Sequence, residues 1–324
     1  MIRLVEVGKQ YPGGTIAVGS LSMDVRRGEL IALVGPSGCG KSTTLRMVNR
    51  LVEPTSGTIE VEGQDVAAMD PVELRRGMGY VIQRIGLFPH QRVAQNVATV
   101  PRLLGWDADR IRNRVEELLE LVGLDPRQYG RRYPHQLSGG EQQRVGVARA
   151  LGADPPVLLM DEPFGAVDPL QRNRLQGEFL QIQATLRKTV LLVTHDIDEA
   201  IRLADRIAVL SPGGRLEQLA DPRTLLTSPA TPAVSAFLGG DAGLRRLDVI
   251  TLSTEDLEPA AASPSAAATA TRDDGRDRLR LGMSLRRGFA ALISSPHGRV
   301  EVLDPDGRVA GVLTADGVLA ALRR

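Results

Sequence analysis

The sequence predicts an α/β fold organised around a mainly parallel β-sheet. Three apolar runs indicate strands that are buried on both faces: Leu30–Val34, Val157–Met160 and Val190–Val193. Helical patterns lie between such runs, and in Asp109–Val122 the apolar residues fall on one face of a helix. Strands that alternate with helices favour a parallel sheet with crossover connections.

The opening residues and Thr58–Val61 predict an antiparallel edge layer beside this sheet. A low-complexity stretch, Pro259–Thr271, indicates a flexible linker. A compact unit resumes near Leu281, with the predicted order helix, strand, turn, strand, helix. We therefore expect a first domain over residues 1–240, a linker over 241–280 and a small α/β domain over 281–324.

Composition indicates a soluble globular protein with a large core. Of the 324 residues, 42% are hydrophobic and 24% charged, which excludes a mainly disordered or fibrous chain. We expect no membrane span, because no run approaches the roughly 18 consecutive apolar residues that a membrane helix needs. We also expect no signal peptide, because the N-terminal residues Met1–Glu6 lack the apolar core of one. The net charge of +1 predicts no nucleic-acid partner. One cysteine, Cys39, excludes an internal disulfide and suits a reducing cytoplasm.

A glycine-rich segment directly after Leu30–Val34 predicts a phosphate-binding loop. It has the pattern G-x-x-x-x-G-K-[ST] between a strand and a helix, where backbone N–H groups and the helix N-terminus converge on phosphate oxygens. Lys41 is expected to bridge the β- and γ-phosphates, and the Ser42 hydroxyl to bind Mg²⁺. The candidate residues are Gly35, Pro36, Ser37, Gly38, Cys39, Gly40, Lys41, Ser42 and Thr43. The alternative is a glycine-rich turn that happens to contain a lysine, but the strand and helix around it favour nucleoside triphosphate binding.

Two carboxylates, Asp161 and Glu162, follow the buried run Val157–Met160. The carboxyl ends of strands are where α/β sheets bind ligands. We expect Asp161 to hold Mg²⁺ and Glu162 to orient and deprotonate an attacking water. An acidic turn is the alternative for this pair alone, and the phosphate loop argues against it.

Two further polar residues end predicted strands. His195 follows Val190–Thr194 and is a candidate to reach the γ-phosphate and sense hydrolysis. Gln83 follows Tyr80–Ile82 and is a candidate ligand of Mg²⁺ or of the attacking water. Each residue taken alone has a simpler interpretation. His195 could have a purely structural role, and Gln83 could be an ordinary loop residue.

The segment Leu137-Ser138-Gly139-Gly140-Glu141-Gln142-Gln143-Arg144 decides the family. Ser138 and Glu141 form a capping box that starts a helix. Between the phosphate loop and the acid pair, LSGGEQQR resembles the signature of the ATP-binding-cassette (ABC) ATPases. The resemblance covers residues 1 to about 240 and implies a P-loop NTPase with a RecA-like core, an antiparallel β edge layer and a helical subdomain over about 85–151, hinged at Gln83.

The resemblance also implies ATP and Mg²⁺ as ligands and a head-to-tail homodimer with two ATP molecules between the subunits. Ser138 and Gly140 would contact the γ-phosphate of the ATP held by the partner's phosphate loop. Tyr11 matches the residue that stacks on adenine, although a lone tyrosine is equally compatible with a core position. Asp168 matches the loop that links the two sites, although Gly165–Asp168 departs mildly from the common Ser-Ala-Leu-Asp form.

Four segments are similar to importers of compatible solutes: Met47–Leu51, Asp70–Arg76, Gly79–His90 and Tyr133–Leu137. This similarity implies an ATPase for glycine betaine, carnitine or choline import. It also implies integral-membrane permease subunits as partners, a substrate-binding protein as an indirect partner, and a peripheral location on the cytoplasmic face of the membrane. Alternatively, these residues form a groove that receives a coupling helix from any permease. The ATPase would then serve an importer of another small solute, such as a sulfonate, a polyamine or a sugar. A cassette of a soluble, non-transport ATPase is a further alternative.

Residues 281–324 resemble the second half of a cystathionine-β-synthase-type (CBS) regulatory domain. The resemblance rests on Val300–Asp304, on Gly307–Thr314 and on the closing helix. Such domains usually come in pairs. Here one copy is recognisable, and residues 241–258 are a candidate remnant of another. That departure leaves two roles open for the tail, nucleotide binding and a protein contact.

Overall fold

The computed structural model describes residues 1–82, 86–165, 168–259 and 279–323. The chain forms two compact units, Met1–Pro222 with Ala230–Phe237 and Arg223–Pro229 with Leu238–Arg324. None of the helices in the described ranges combines the length and the apolar character that crossing a membrane requires.

The strands are β1 (Ile2–Gln10), β2 (Ile16–Val25), β3 (Leu30–Val34), β4 (Ser56–Val61), β5 (Gln64–Asp65), β6 (Met78–Val81), β7 (Val157–Asp161), β8 (Thr189–Val193), β9 (Arg206–Ser211), β10 (Arg215–Ala220), β11 (Leu257–Glu258), β12 (Leu279–Arg280), β13 (Arg299–Leu303) and β14 (Val309–Thr314). The helices are α1 (Lys41–Val48), α2 (Pro71–Arg76), α3 (Val93–Val97), α4 (Thr99–Leu103), α5 (Ala108–Leu121), α6 (Pro126–Tyr129), α7 (Gly139–Ala150), α8 (Pro169–Leu186), α9 (Ile197–Leu203), α10 (Pro222–Thr227), α11 (Pro232–Leu238), α12 (Ala242–Val249), α13 (Leu285–Ser294) and α14 (Ala315–Arg323).

A six-stranded sheet in the order β10-β9-β3-β8-β7-β6 forms the centre of the first unit. All its neighbouring pairs are parallel except β10 with β9. Every residue of β3, β7 and β8 is buried, which confirms the three predicted strands. Leu33 and Asp161 both pair with Val193, so the carboxyl ends of these three strands meet at one edge.

An antiparallel sheet in the order β2-β1-β4-β5 packs beside it, which confirms the predicted edge layer. Leu4, Val7 and Ile59 of this sheet share a continuous core with Leu33 and Leu159 of the parallel sheet. Burial of this common apolar surface holds the two layers together.

Helices α3 to α7 lie between β6 and β7 in the chain and form the predicted helical subdomain. The α5 helix begins at the N-cap Asp107 and buries Val115, Leu118 and Leu119 on one face. The buried amide of Asn96 bonds the backbone of Phe88 through both its oxygen and its nitrogen. These bonds hold the loop before α3 against that helix.

The second unit has a four-stranded sheet in the order β11-β14-β13-β12. Its core contains Leu285, Val302, Leu313 and Val318, from the helices and strands of the predicted 281–324 domain. The elements α13, β13, β14 and α14 follow in the predicted order.

Within the range expected to be a linker, Ala242–Val249 forms α12, and Leu247, Ile250 and Leu252 enter the core of the second unit. Most of the low-complexity stretch lies outside the described residues.

Candidate nucleotide-binding and catalytic site

The phosphate loop connects β3 to α1 at the edge where the strand ends meet. Gly40 is the N-cap of α1 at φ 99°, with no side-chain cap, so the helix N-terminus stays open. A Cβ at Gly35 would lie 2.2 Å from the Leu210 carbonyl oxygen, and one at Gly40 would lie 2.4 Å from that of Ala17. Only glycine fits these two positions, and the open N-terminus that they create favours an anion.

Lys41 is buried inside this loop. Its Nζ donates to the carbonyl oxygens of Gly35 at 2.8 Å and Pro36 at 3.0 Å. Cys39 lies beneath, 1% exposed, whereas Pro36, Ser37 and Gly38 are exposed at the rim. The residues at the rim of the loop are therefore exposed to solvent, whereas the charged group of Lys41 is enclosed by the loop.

Ser42 and Asp161 are brought into direct contact at the strand edge. The Ser42 hydroxyl donates to Asp161 Oδ1 at 2.8 Å. Among the described residues, no group of three or more His, Cys, Asp or Glu side chains is placed to hold a metal. A hydroxyl and a carboxylate beside a phosphate loop fit Mg²⁺, which prefers oxygen ligands and takes part of its shell from phosphates and water.

Glu162 and His195 form a second pair beside the first. His195 Nδ1 lies 3.3 Å from Glu162 Oε1, and the His195 side chain is 59% exposed against 21% for Glu162. The backbone of Glu162 has φ 46°, an uncommon value for a non-glycine residue, and its N–H donates to the Val193 carbonyl at 2.9 Å. This constraint fixes the position of the Glu162 side chain at the end of β7.

Asp196 directly follows His195 in the chain and is the N-cap of α9. Its Oδ1 accepts hydrogen bonds from the N–H groups of Asp198 and Glu199. Glu199 is buried, and its Oε1 has no hydrogen-bond partner among the described residues. Burial and then the negative charge of Asp196 raise the pKa of Glu199 to about 8. Sequence reasoning missed Asp196 and Glu199, although the acidic run Asp196–Glu199 before an apolar helix is a recognisable start signal.

The signature segment starts α7 with the predicted capping box. Glu141 N–H donates to Ser138 Oγ at 3.3 Å, and Ser138 N–H donates to Glu141 Oε2 at 2.8 Å. Tyr129 also donates to Glu141, at 2.7 Å, which fixes that carboxylate. A Cβ at Gly140 would meet Gln171 Oε1 at 2.9 Å, so this end of α7 lies against the first turn of α8.

Two further predicted site residues, Tyr11 and Asp168, are exposed. Tyr11 is exposed at the surface, where Lys9 Nζ lies 5.2 Å from the centroid of its ring. Asp168 is exposed and caps α8 by accepting from Gln171 N–H at 3.1 Å. Gln83 lies outside the described residues.

The family model for ABC transporters matches residues 18–165. The chain is 54% identical over 239 residues to the glycine betaine/carnitine/choline transport ATP-binding protein OpuCA of Bacillus subtilis, covering 74% of this chain and 62% of that one. It is 53% identical over 251 residues to the osmoprotectant import ATP-binding protein OsmV of Salmonella typhimurium, covering 76% and 65%. It is 52% identical over 250 residues to the glycine betaine uptake system ATP-binding protein YehX of Escherichia coli, covering 77% and 80%. The chain thus spans less than two thirds of the length of the first two relatives.

Solved structures of cassettes have the same fold. A dimeric ATP-binding cassette bound to ADP and phosphate after hydrolysis superposes with a TM-score of 0.61 at 33% identity, covering 68% of this chain and 99% of that one. The cassette cbiO1 of Clostridium perfringens, part of the transporter complex cbiONQ, gives a TM-score of 0.65 at 29% identity, covering 71% and 91%. With its phosphate loop, its acid pair and its signature helix in one unit, the chain belongs to the ABC transporter family, in which it forms an ATP-binding cassette.

Proposed function

We propose that this protein hydrolyses ATP to power the import of a quaternary-amine compatible solute through a separate membrane permease. The observation that carries the ATPase proposal is the strand edge, where the phosphate loop, the Ser42–Asp161 pair and the Glu162–His195 pair lie together. The names of the relatives described above support the choice of solute.

In this proposal the phosphate loop binds the triphosphate. Backbone N–H groups of the loop and the open N-terminus of α1 attract the phosphate oxygens, and Lys41 balances their charge. The proposed contacts are made by Gly35, Pro36, Ser37, Gly38, Cys39, Gly40, Lys41, Ser42 and Thr43. Tyr11 is proposed to stack on the adenine.

Ser42 Oγ and Asp161 Oδ1 are the proposed protein ligands of Mg²⁺, with Gln83 as a third candidate. When bound, this ion neutralises charge on the β- and γ-phosphates. The two side chains already lie within hydrogen-bond distance of each other, so little rearrangement is needed to present both oxygens to one ion.

Glu162 is the proposed base. Glu162 directly follows Asp161 at the end of β7, which places its carboxylate beside the proposed metal ligand. This carboxylate would accept the proton of the attacking water. His195 is proposed to hold Glu162 in position through the 3.3 Å contact and to reach the γ-phosphate.

Two copies of the chain are proposed to assemble head to tail. Ser138 and Gly140, at the N-terminus of α7, would contact the nucleotide of the partner subunit. Asp168, exposed before α8, would connect the two sites across the dimer.

We further propose that the cassette ends near residue 240 and that residues 281–324 form a CBS-like regulatory domain. The cassette dimer would bind integral-membrane permease subunits on the cytoplasmic face of the membrane. A substrate-binding protein would deliver the solute on the other side.

Uptake of labelled glycine betaine under osmotic stress tests the proposal. Cells that lack other osmoprotectant importers would carry the wild-type chain, Glu162→Gln or the matched control Glu116→Gln, whose carboxylate is exposed on α5. We expect uptake with the wild type and the control and none with Glu162→Gln. Equal uptake in all three strains would contradict glycine betaine import by this ATPase, and uptake of a sulfonate, polyamine or sugar would then be measured.

A further inference from the structure

Two loops of the candidate site are each followed at once by a helix. Asp168 is the N-cap of α8, and His195 immediately precedes Asp196, the N-cap of α9. The first loop is proposed to face the partner subunit, and the second carries the histidine that contacts Glu162. The contacts between α8 and α9 therefore decide whether these two loops move separately or together.

The beginnings of the two helices are joined by an ion pair. Arg172, in the first turn of α8, lies with NH1 at 3.4 Å from Asp196 Oδ2. The other oxygen of Asp196 caps α9, so one carboxylate performs two separable tasks. The two side chains are 28% and 29% exposed, so solvent screens the pair less than it would a fully exposed one.

A second set of bonds joins the same helices further along. Arg202 of α9 donates to Asn173 Oδ1 at 2.9 Å and to Gln176 Oε1 at 3.3 Å, both on α8. Together with Arg172–Asp196, these bonds hold the first two turns of α8 against α9. These contacts form a continuous path from the start of α8 to Asp196, the residue next to His195.

We infer that Arg172 and Asp196 are positioning residues that couple the loop ending at Asp168 to His195. A partner subunit that displaces Asp168 on closure would in this way set the position of His195 relative to Glu162. Neither residue contacts the nucleotide in this scheme, and both act on catalysis through His195. The inference rests on the proposed ATPase function and dimer.

The two tasks of Asp196 make the inference testable. Asparagine caps a helix as well as aspartate does, so Asp196→Asn keeps the cap and removes the ion pair. Arg172→Gln removes the pair from the other side, and Arg172→Lys retains the positive charge. Arg174→Gln is the matched control, because the Arg174 side chain is 77% exposed and pairs with Glu178 of the same helix, not with α9.

Steady-state ATPase activity as a function of ATP concentration is the measurement. We expect Asp196→Asn and Arg172→Gln to lower kcat roughly three- to tenfold and to bring the Hill coefficient towards 1. Affinity for a fluorescent ATP analogue should stay at the wild-type value, which a general loss of structure at the site would not predict. Arg172→Lys should retain most of the cooperativity, and the double variant should lose no more than either single variant.

Unchanged kcat and Hill coefficient in both single variants, beside a cooperative wild-type enzyme, would overturn this inference and leave the ATPase proposal intact. Multiplied losses in the double variant would also overturn it, because residues that act through one pair cannot lose the same coupling twice. A wild-type chain that hydrolyses no ATP would instead contradict the proposed function itself.

Discussion

Ser42 Oγ lies 2.8 Å from Asp161 Oδ1, although 119 residues separate them in the chain. The parallel register of β3, β8 and β7 produces this contact, because it brings the end of β7 level with the start of the phosphate loop. Two side-chain oxygens from distant segments of the chain therefore meet at the strand edge.

Loss of one of these oxygens should weaken the proposed metal binding. We expect Asp161→Asn to raise the Mg²⁺ concentration needed for half-maximal ATPase activity by at least about tenfold, because a neutral amide attracts the cation less. Titration of ATPase activity with Mg²⁺ measures this, with Asp109→Asn on the exposed face of α5 as the control. An unchanged Mg²⁺ requirement would exclude Asp161 as a ligand.

Removal of the proposed base should separate binding from hydrolysis. We expect Glu162→Gln to retain ATP affinity, to lose about 10²- to 10⁴-fold in kcat and to accumulate as a closed dimer with ATP. Phosphate release and size-exclusion chromatography with ATP report the two effects, and Glu116→Gln should behave as wild type in both. Full activity in Glu162→Gln would mean that another group accepts the proton.

Glu199 should make the stability of the protein depend on pH. Its pKa is raised from an ordinary 4.5 to about 8, so between these values the folded chain keeps a proton that the unfolded chain has released. This contribution to stability is complete below about pH 4.5 and is lost as the pH rises through 8, and it amounts to at most a few kcal/mol.

Glu199→Gln stays neutral at every pH and should therefore become more stable relative to wild type between pH 5 and pH 9. Thermal midpoints of both proteins across this range measure the difference, and Glu116→Gln supplies the baseline for loss of an exposed carboxylate. A difference in thermal midpoint between wild type and Glu199→Gln that stays constant from pH 5 to pH 9 would show that Glu199 is ionised in the folded chain over this whole range.

A methyl group at Gly40 should damage the phosphate loop. The position has φ 99°, and a Cβ there would lie 2.4 Å from the Ala17 carbonyl oxygen, so we expect Gly40→Ala to cost roughly 1–3 kcal/mol and to weaken ATP binding. Gly243→Ala is the control, because Gly243 is an exposed position of α12 with open space around it. There alanine should be neutral or stabilise by up to about 1 kcal/mol. Equal thermal midpoints and equal ATP affinities for Gly40→Ala and wild type would contradict the expected strain.

Sequence reasoning succeeded where one local pattern determines the structure. The strands β3, β7 and β8 are continuous apolar runs because both of their faces are buried, and the polar residues that follow them necessarily reach the same edge. The capping box at Ser138 is equally local, since its two bonds join residues three positions apart.

Contacts between surface positions were beyond such reasoning. Arg172 and Asp196 are ordinary charged residues in an arginine-rich chain, and only the packing of α8 on α9 makes them partners. The α12 helix likewise falls in the range predicted to be a linker. A helix of eight residues is marginal by itself, and packing of Leu247 in the core of the second unit stabilises it.

The burial of Cys39 has a practical consequence for spectroscopy. It is the sole cysteine of the chain, and its sulfur lies beneath the phosphate loop with 1% of the residue exposed. A cysteine introduced at an exposed position such as Ser294 would react with a maleimide dye far faster than the native thiol. Fluorophores can therefore be attached to an otherwise wild-type chain, and energy transfer between two labelled subunits would follow their approach during turnover.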